Sequence, residues 1–280
     1  MCEEIFRGDG MIADMHTHSE FSHDSVCKIE DMCLAQIEKG TEIFAVTDHL
    51  DCFLYNDYDI FTPIANARKA VEELNKRYTD KLLILSGMEI GEGFWHLDVY
   101  KKAIGMLDCD VIIGSVHSVD YKNCSGSYAT VDFTKFTTDE IYEFLDIYFH
   151  DLLKMVDATD FDILAHLTCP LRYINGKYRK EITLERFEKI IDTILEKIIE
   201  KGIALEVNTS SYDRLNSSMP DEGILKKYYS MGGRLITLGS DAHISQNASS
   251  NFKAAIEMLK RIGFDRMYYY QKRTPKEIEI

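Results

Sequence analysis

Six of the nine histidines sit in short motifs that close apolar runs. The motifs are His16-Thr17-His18, Thr47-Asp48-His49, Ser115-Val116-His117, Ala165-His166 and Gly239-Ser240-Asp241-Ala242-His243, and a further run closes in Gly87-Met88-Glu89. Imidazole and carboxylate without thiolate form a donor set that zinc, manganese and iron all accept. A single histidine behind a strand is ordinarily a hydrogen-bonded structural group. Six of them, joined by Glu89 and Asp241 at equivalent places on separate runs, point instead to one shared metal site. The pairs His16/His18 and Asp241/His243 are spaced i, i+2, which puts both members on one side of an extended chain. Of the remaining histidines, His96 falls in a Phe94-Trp95-His96 loop and His150 in a helical pattern, and both read as structural.

The elements that must position these residues follow from hydropathy. Apolar, β-branched runs of strand length occur at 11–15, 42–46, 82–90, 110–116, 161–165, 203–207 and 234–238. Their continuous rather than alternating character predicts parallel strands buried on both faces. Helical spacing fills the gaps at 29–39, 63–78, 138–156, 183–201, 221–231 and 251–261, with Pro63 suited to a first turn, Thr138 to an N-cap and Gly202 to a C-cap. The alternation is unbroken by any linker, so one α/β domain is expected, as an open doubly wound sheet or a (β/α) barrel. No G-x-G-x-x-G or Walker pattern follows a strand, which weakens the nucleotide-binding open sheet. In either architecture the carboxyl ends of parallel strands share one face, so the motifs converge on one rim.

Composition narrows the class further. With 32 Lys+Arg against 47 Asp+Glu the formal charge is −15, and no basic stripe is present to track nucleic-acid phosphates. The 45% hydrophobic and 28% charged content is that of a globular protein. Seven scattered cysteines without a C-x-x-C pair suit a reducing compartment. The first seven residues lack the pattern of a secretion signal and no run reaches the roughly 20 apolar residues of a membrane helix. A cytoplasmic protein without membrane or nucleic-acid partners is expected.

The H-x-H opening, T-D-H, strand-end Glu, G-S-V-H, L-A-H and closing G-S-D-A-H together resemble the polymerase and histidinol phosphatase (PHP) superfamily, over about residues 12–262. The stretches Leu164-Ala165-His166, Leu171-Arg172-Tyr173 and 204–210 are most similar to its stand-alone histidinol-phosphate phosphatases. The Glu89 loop, Gly91-Glu92-Gly93-Phe94-Trp95-His96, and Thr168-Cys169-Pro170 depart from the family pattern. The resemblance implies a single-domain α/β fold, a distorted (β/α)7 barrel over 1–280, with three divalent transition-metal ions (Zn, Mn or Fe) at the carboxyl ends of its strands. It distributes the ligands as His16, His18, Glu89 and Asp241 for one ion, Glu89 with His117 and His166 for the second, and Asp24, His49 and His243 for the third. His23 competes with Asp24 for the first-loop position. Glu89, Asp241 and His243 are the residues it places at the catalytic centre. Three divalent ions bring about +6 against about −3 from Asp24, Glu89 and Asp241, an excess suited to hydroxide and a phosphate dianion.

Arg172 and Arg214 each lie six residues past a strand-end residue, His166 and Asn208. A guanidinium fork matches phosphate oxygens, and both are candidates to bind substrate. Cys169 has no base placed for it and reads as packing. The resemblance implies a phosphomonoesterase that converts L-histidinol phosphate to L-histidinol and phosphate through a hydroxide bridging two ions, with no covalent phospho-enzyme. The substrate's cationic amine calls for an acidic partner, for which Asp51 and Glu92 are candidates. The alternatives are a phosphoesterase of the same type acting on a nucleotide, sugar phosphate or phosphotyrosine, and a metal-binding barrel without catalysis. The Tyr268-Tyr269-Tyr270 run packs on the barrel or forms a subunit contact.

Overall fold

The computed structural model describes residues 11–106, 108–122 and 126–280; the first seven residues, Cys2 and Cys124 lie outside them. Eight strand segments form one parallel sheet: β1 (Ala13–Thr17), β2 (Ile43–Val46), β3 (His49–Asp51), β4 (Leu83–Gly91), β5 (Val111–Ser115), β6 (Ile163–Leu164), β7 (Ala204–Asn208) and β8 (Ile236–Gly239). Their spatial order is β1-β2-β4-β5-β6-β7-β8, with β3 beside the far end of β4. Every residue of β1, β2, β5, β7 and β8 is buried, as their continuous apolar character requires. Past the strand ends the sheet joins itself: the amide of Asp241 donates to the His16 carbonyl at 2.8 Å and that of His18 to the Ala242 carbonyl at 2.9 Å. The result is a nearly closed barrel, and the open-sheet alternative is set aside.

Among the described residues eight α-helices cover the sheet or link its strands: α1 (Ile29–Lys39), α2 (Thr62–Tyr78), α3 (Leu97–Met106), α4 (Thr138–Ala158), α5 (Glu188–Lys201), α6 (Tyr212–Leu215), α7 (Glu222–Ser230) and α8 (Phe252–Ile262). α4 starts from a capping box in which Thr137 and Glu140 exchange hydrogen bonds, so the cap is one residue earlier than Thr138. It buries Ile141, Phe144, Leu145, Tyr148, Phe149, Leu152 and Met155 on one stripe. α5 ends at Gly202 with φ 68°, as expected, but begins at Glu188 rather than 183. The Asn175 side chain brackets the Ile182 backbone, accepting its N–H and donating to its C=O at 2.8 Å, and this holds the incoming chain out of the helix.

Several elements were not expected, among them the short helix α6. α3 follows the Trp95-His96 loop, β3 prolongs the sheet beyond β2, and a C-terminal hairpin of β9 (Arg266–Gln271) and β10 (Thr274–Glu279) lies against β8 and β1. The tyrosine run is therefore on β9, where Met267 and Tyr270 are buried against the barrel. At the hairpin turn Arg273 reaches Asp162 at 3.1 Å, at the amino-terminal end of β6.

Candidate metal centre

The convergence of the motifs follows from register. In β1 the side chain of Thr17 points away and donates to the Ala45 carbonyl at 2.7 Å, while His16 and His18 turn inward with their Nε2 atoms 3.1 Å apart. β3 pairs with β4 so that His49 lies directly opposite Glu89. His117 and His166 each follow their strands by two residues, and Asp241 follows β8 by two with φ 52°, a left-handed conformation that aspartate tolerates better than most. Asp48 holds the loop after β1 by accepting from the amide and hydroxyl of Ser19 at 2.6 and 2.7 Å.

Glu89 is fully buried at the centre, and its two oxygens face different partners. Oε2 lies 3.2 Å from His16 Nε2 and 3.6 Å from His18 Nε2, and Asp241 Oδ1 closes this group 3.3 Å from His18. Oε1 lies 3.1 Å from His117 Nε2 and 3.0 Å from His166 Nε2. A third group stands toward the mouth, where Asp24 Oδ2 is 3.1 Å from His243 Nε2 and 3.5 Å from His49 Nε2. His49 also brings Nδ1 to 3.0 Å from Glu89 Oε2, so it joins the third group to the first two. His23 is more than half exposed, 4.0 Å from Asp51, with its ring 5.2 Å from that of His49, whereas it is the Asp24 carboxylate that meets both His243 and His49. His96 and His150 stay outside the cluster, His150 Nδ1 donating to the Asp146 carbonyl of its own helix at 2.7 Å.

The electrostatics ask for cations. Burial opposes charge on Glu89, yet His117, His16 and His49 outweigh it and hold its carboxyl well below the usual range. Asp241 is likewise held low, against burial, by His18, His16 and His243. The rings respond in kind: burial disfavours their charge, but Glu206 and Glu89 keep His16 well above an ordinary imidazole, and Glu89 with Asp24 carries His49 to about 10. His18, crowded by His243 and His49 as well as buried, is pushed well below. For all that proximity, Glu89 Oε2, His49 Nδ1 and His166 Nδ1 are buried without a hydrogen bond. A divalent cation would satisfy Glu89 Oε2 and the charge of the clustered carboxylates together, so the residues fit a metal centre.

Arg172 opens a π-helical segment, Arg172–Lys177, after β6. Its Nη1 donates to Ser210 Oγ at 3.0 Å and lies 3.3 Å from Asp241 Oδ2, while Nε is buried without a partner. Ser210 in turn donates to Asn208 at 2.6 Å. Arg214 is exposed on α6, its stem beside Gly176, and has no contact with the cluster. Cys169 is buried and its thiol is pushed up to about 11 chiefly by burial, which fits packing rather than nucleophilic attack.

Three carboxylates have partners that spacing did not disclose. Asp51 Oδ1 meets His117 Nδ1 at 3.1 Å, and Glu92 accepts the amides of His117 and Ser118, so both expected amine partners are buried behind His117. Glu206, at the middle of buried β7, meets His16 Nδ1 at 2.7 Å. A carboxylate inside an otherwise apolar strand is itself a signal, since a buried charge has to be matched.

A family model for the PHP domain matches residues 14–210. A probable histidinol-phosphatase of Clostridium acetobutylicum is 29% identical over 95% of this chain and 99% of its own length. The histidinol-phosphatase of Lactococcus lactis is 27% identical, over 91% of this chain and 92% of its own. The crystal structure of histidinol phosphate phosphatase from Lactococcus lactis, complexed with zinc, L-histidinol and phosphate, superposes with a TM-score of 0.77 at 22% identity, covering 95% of this chain and 98% of that one. It establishes the shared fold.

Proposed function

The chain belongs to the PHP domain family, and from that premise we propose that it is a metal-dependent phosphomonoesterase hydrolysing L-histidinol phosphate to L-histidinol and phosphate. The observation that carries this reading is Glu89, whose two oxygens face separate sets of imidazoles, Oε2 those of His16, His18 and His49 and Oε1 those of His117 and His166. His16, His18, Glu89 and Asp241 would hold one ion, Glu89, His117 and His166 a second, and Asp24, His49 and His243 a third. When bound, such ions supply Lewis acidity toward phosphate oxygens and make water a nucleophile at neutral pH. Relatives named histidinol-phosphatase that align along nearly the whole chain support the substrate.

The chain's own residues supply the rest. Arg172, whose Nε has no hydrogen-bond partner and whose Nη1 lies beside Asp241, would take phosphate oxygens and offset charge that builds on them as the ester bond breaks. Its hydrogen bond to Ser210 fixes the fork before substrate arrives. Asp241 in turn holds the guanidinium in place, and no step needs a thiolate, because Cys169 stays protonated at neutral pH.

Phosphate release from histidinol phosphate, its deaminated analogue and an aryl phosphate, by protein loaded with Zn, Mn or Fe, tests the proposal. Histidinol phosphate should exceed the deaminated analogue by about tenfold for each roughly 1.4 kcal/mol of amine contact. Equal efficiencies would leave a phosphatase but remove this substrate, and no release from any ester would remove the enzyme.

A further inference from the structure

The two histidines that meet opposite oxygens of Glu89 share a feature absent from the rest. His16 presents Nε2 to Glu89 and turns Nδ1 to Glu206 Oε1 at 2.7 Å. His117 presents Nε2 to Glu89 and turns Nδ1 to Asp51 Oδ1 at 3.1 Å. The other rings are backed by weaker groups: His18 by the Ser22 hydroxyl at 3.1 Å and His243 by the Asp241 carbonyl at 3.0 Å, while His166 Nδ1 has no partner. His49 turns both nitrogens to carboxylates of the cluster itself, Nδ1 3.0 Å from Glu89 Oε2 and Nε2 3.5 Å from Asp24 Oδ2. Among the described residues, backing by a carboxylate from outside the ligand set is therefore confined to His16 and His117, one ring in each of the two groups that Glu89 joins.

Both carboxylates sit in fitted places. Glu206 Oε2 accepts the amide of His166 at 2.6 Å and the Asn208 side chain at 3.2 Å, so one residue ties β1, the end of β6 and β7 together. A Cβ on Gly239 would lie 2.1 Å from Glu206 Oε1, and a Cβ on Gly91 2.3 Å from Asp51 Oδ1. Each carboxylate occupies space that a neighbouring glycine leaves open.

We infer that Glu206 and Asp51 are positioning residues for the metal centre: each accepts the Nδ1–H of its histidine and so fixes the tautomer whose bare Nε2 faces the ion. The inference rests on the metal reading above. An anion behind an imidazole locks ring orientation and raises the basicity of the coordinating nitrogen, and its loss commonly costs 10- to 100-fold in metal affinity. It also revises the charge count. Asp51 and Glu206 added to Asp24, Glu89 and Asp241 bring about −5 against about +6 for three divalent ions, so the ions are nearly neutralised before any anion arrives.

The amide variants decide the matter. In Glu206→Gln the shape persists, but an amide N–H can face Nδ1 and drive the proton to Nε2, where it blocks the ion. Metal-free wild type, Glu206→Gln and Asp51→Asn are titrated with Co²⁺ against a competing chelator, following visible absorption and the thermal midpoint of each metal-free protein. The expected result is one class of ion weakened about 10-fold or more in each variant, with an altered Co²⁺ spectrum and metal-free midpoints close to wild type. Wild-type affinity and spectrum in both variants would overturn the inference, and so would a collapsed metal-free midpoint, which assigns the carboxylates to the fold. A wild type that takes up no Co²⁺ would overturn the metal reading itself, and the inference with it.

Discussion

The two ends of the barrel both bury carboxylates and resolve them in opposite ways. At the amino-terminal end Asp162 is 7% exposed and is matched from within the chain, accepting from Arg273 Nε at 3.1 and 3.2 Å and from the Ile112 amide at 2.8 Å. At the carboxyl-terminal rim Glu89 is matched only by imidazoles, which can give up their protons, and one of its oxygens accepts no hydrogen bond. A guanidinium is a permanent cation and makes its end structural. Neutralisable rings around an unsatisfied oxygen reserve the rim for a cation from outside. Burial alone therefore does not distinguish a metal site from a latch; the partner's ability to discharge does.

The largest expected effect comes from removing that central anion. Glu89→Ala takes one ligand from two groups at once, so metal analysis should show two ions lost together. Phosphatase activity should fall by roughly three orders of magnitude or more, about 4 kcal/mol at 1.36 kcal/mol per decade. Three ions per chain in this variant would refute Glu89 as the shared ligand. Chelation of the wild type should abolish activity similarly, and restored divalent ions should return it.

Arg172 sharpens the comparison, because it is a guanidinium on the rim rather than at the base. Its pairing with Asp241 resembles a latch, but its partnerless Nε does not. Arg172→Ala should lower kcat/KM by about 10- to 100-fold, as expected for one charge-assisted contact of roughly 1.5–3 kcal/mol, with metal content unchanged. Arg172→Lys should recover part of this, since the fork is lost. Wild-type efficiency in the alanine variant would assign Arg172 to the fold.

The sequence disclosed the rim better than its supports, for a physical reason. Periodicity of two places His16 with His18 and Asp241 with His243, and a parallel sheet brings all such ends together, so the cluster was legible before any coordinates. Glu89 lies within β4 rather than at its end, because β3 pairs alongside and carries the strand on to Gly91. Asp51 and Glu206 were not legible as partners of His117 and His16. Spacing says which side chains share a face, but not what the far nitrogen of a ring meets. Arg214 shows the same limit: its distance from Asn208 matches that of Arg172 from His166, but it is exposed on α6 whereas Arg172 reaches Asp241. The hairpin was hidden because the buried residues of β9, Met267 and Tyr270, are three apart and show neither alternation nor a continuous apolar run, and β10 buries Ile278 alone among polar neighbours.

The smallest effect should come from the base. Arg273→Ala removes the built-in cation of Asp162 and should leave metal uptake and kcat/KM unchanged. It should lower the stability of the metal-free protein by about 1–3 kcal/mol, less than a fully buried pair because Arg273 remains 27% exposed. The pH dependence has a defined sign. Burial raises the Asp162 carboxyl above its ordinary value, with Arg273 opposing that rise, so the folded state binds more protons than the unfolded state in the window just above the ordinary carboxylate pKa. The group's stabilising contribution is then full below the unfolded pKa and declines as pH rises through the folded one. Without Arg273 the folded pKa climbs further, the window widens upward, and the decline is larger. Urea unfolding of chelated wild type and variant at pH 4.5 and pH 7.5 should therefore show a greater gap between them at the higher pH. A gap that shrank on going to pH 7.5, or a loss of bound metal in the variant, would mean that the two ends are not independent.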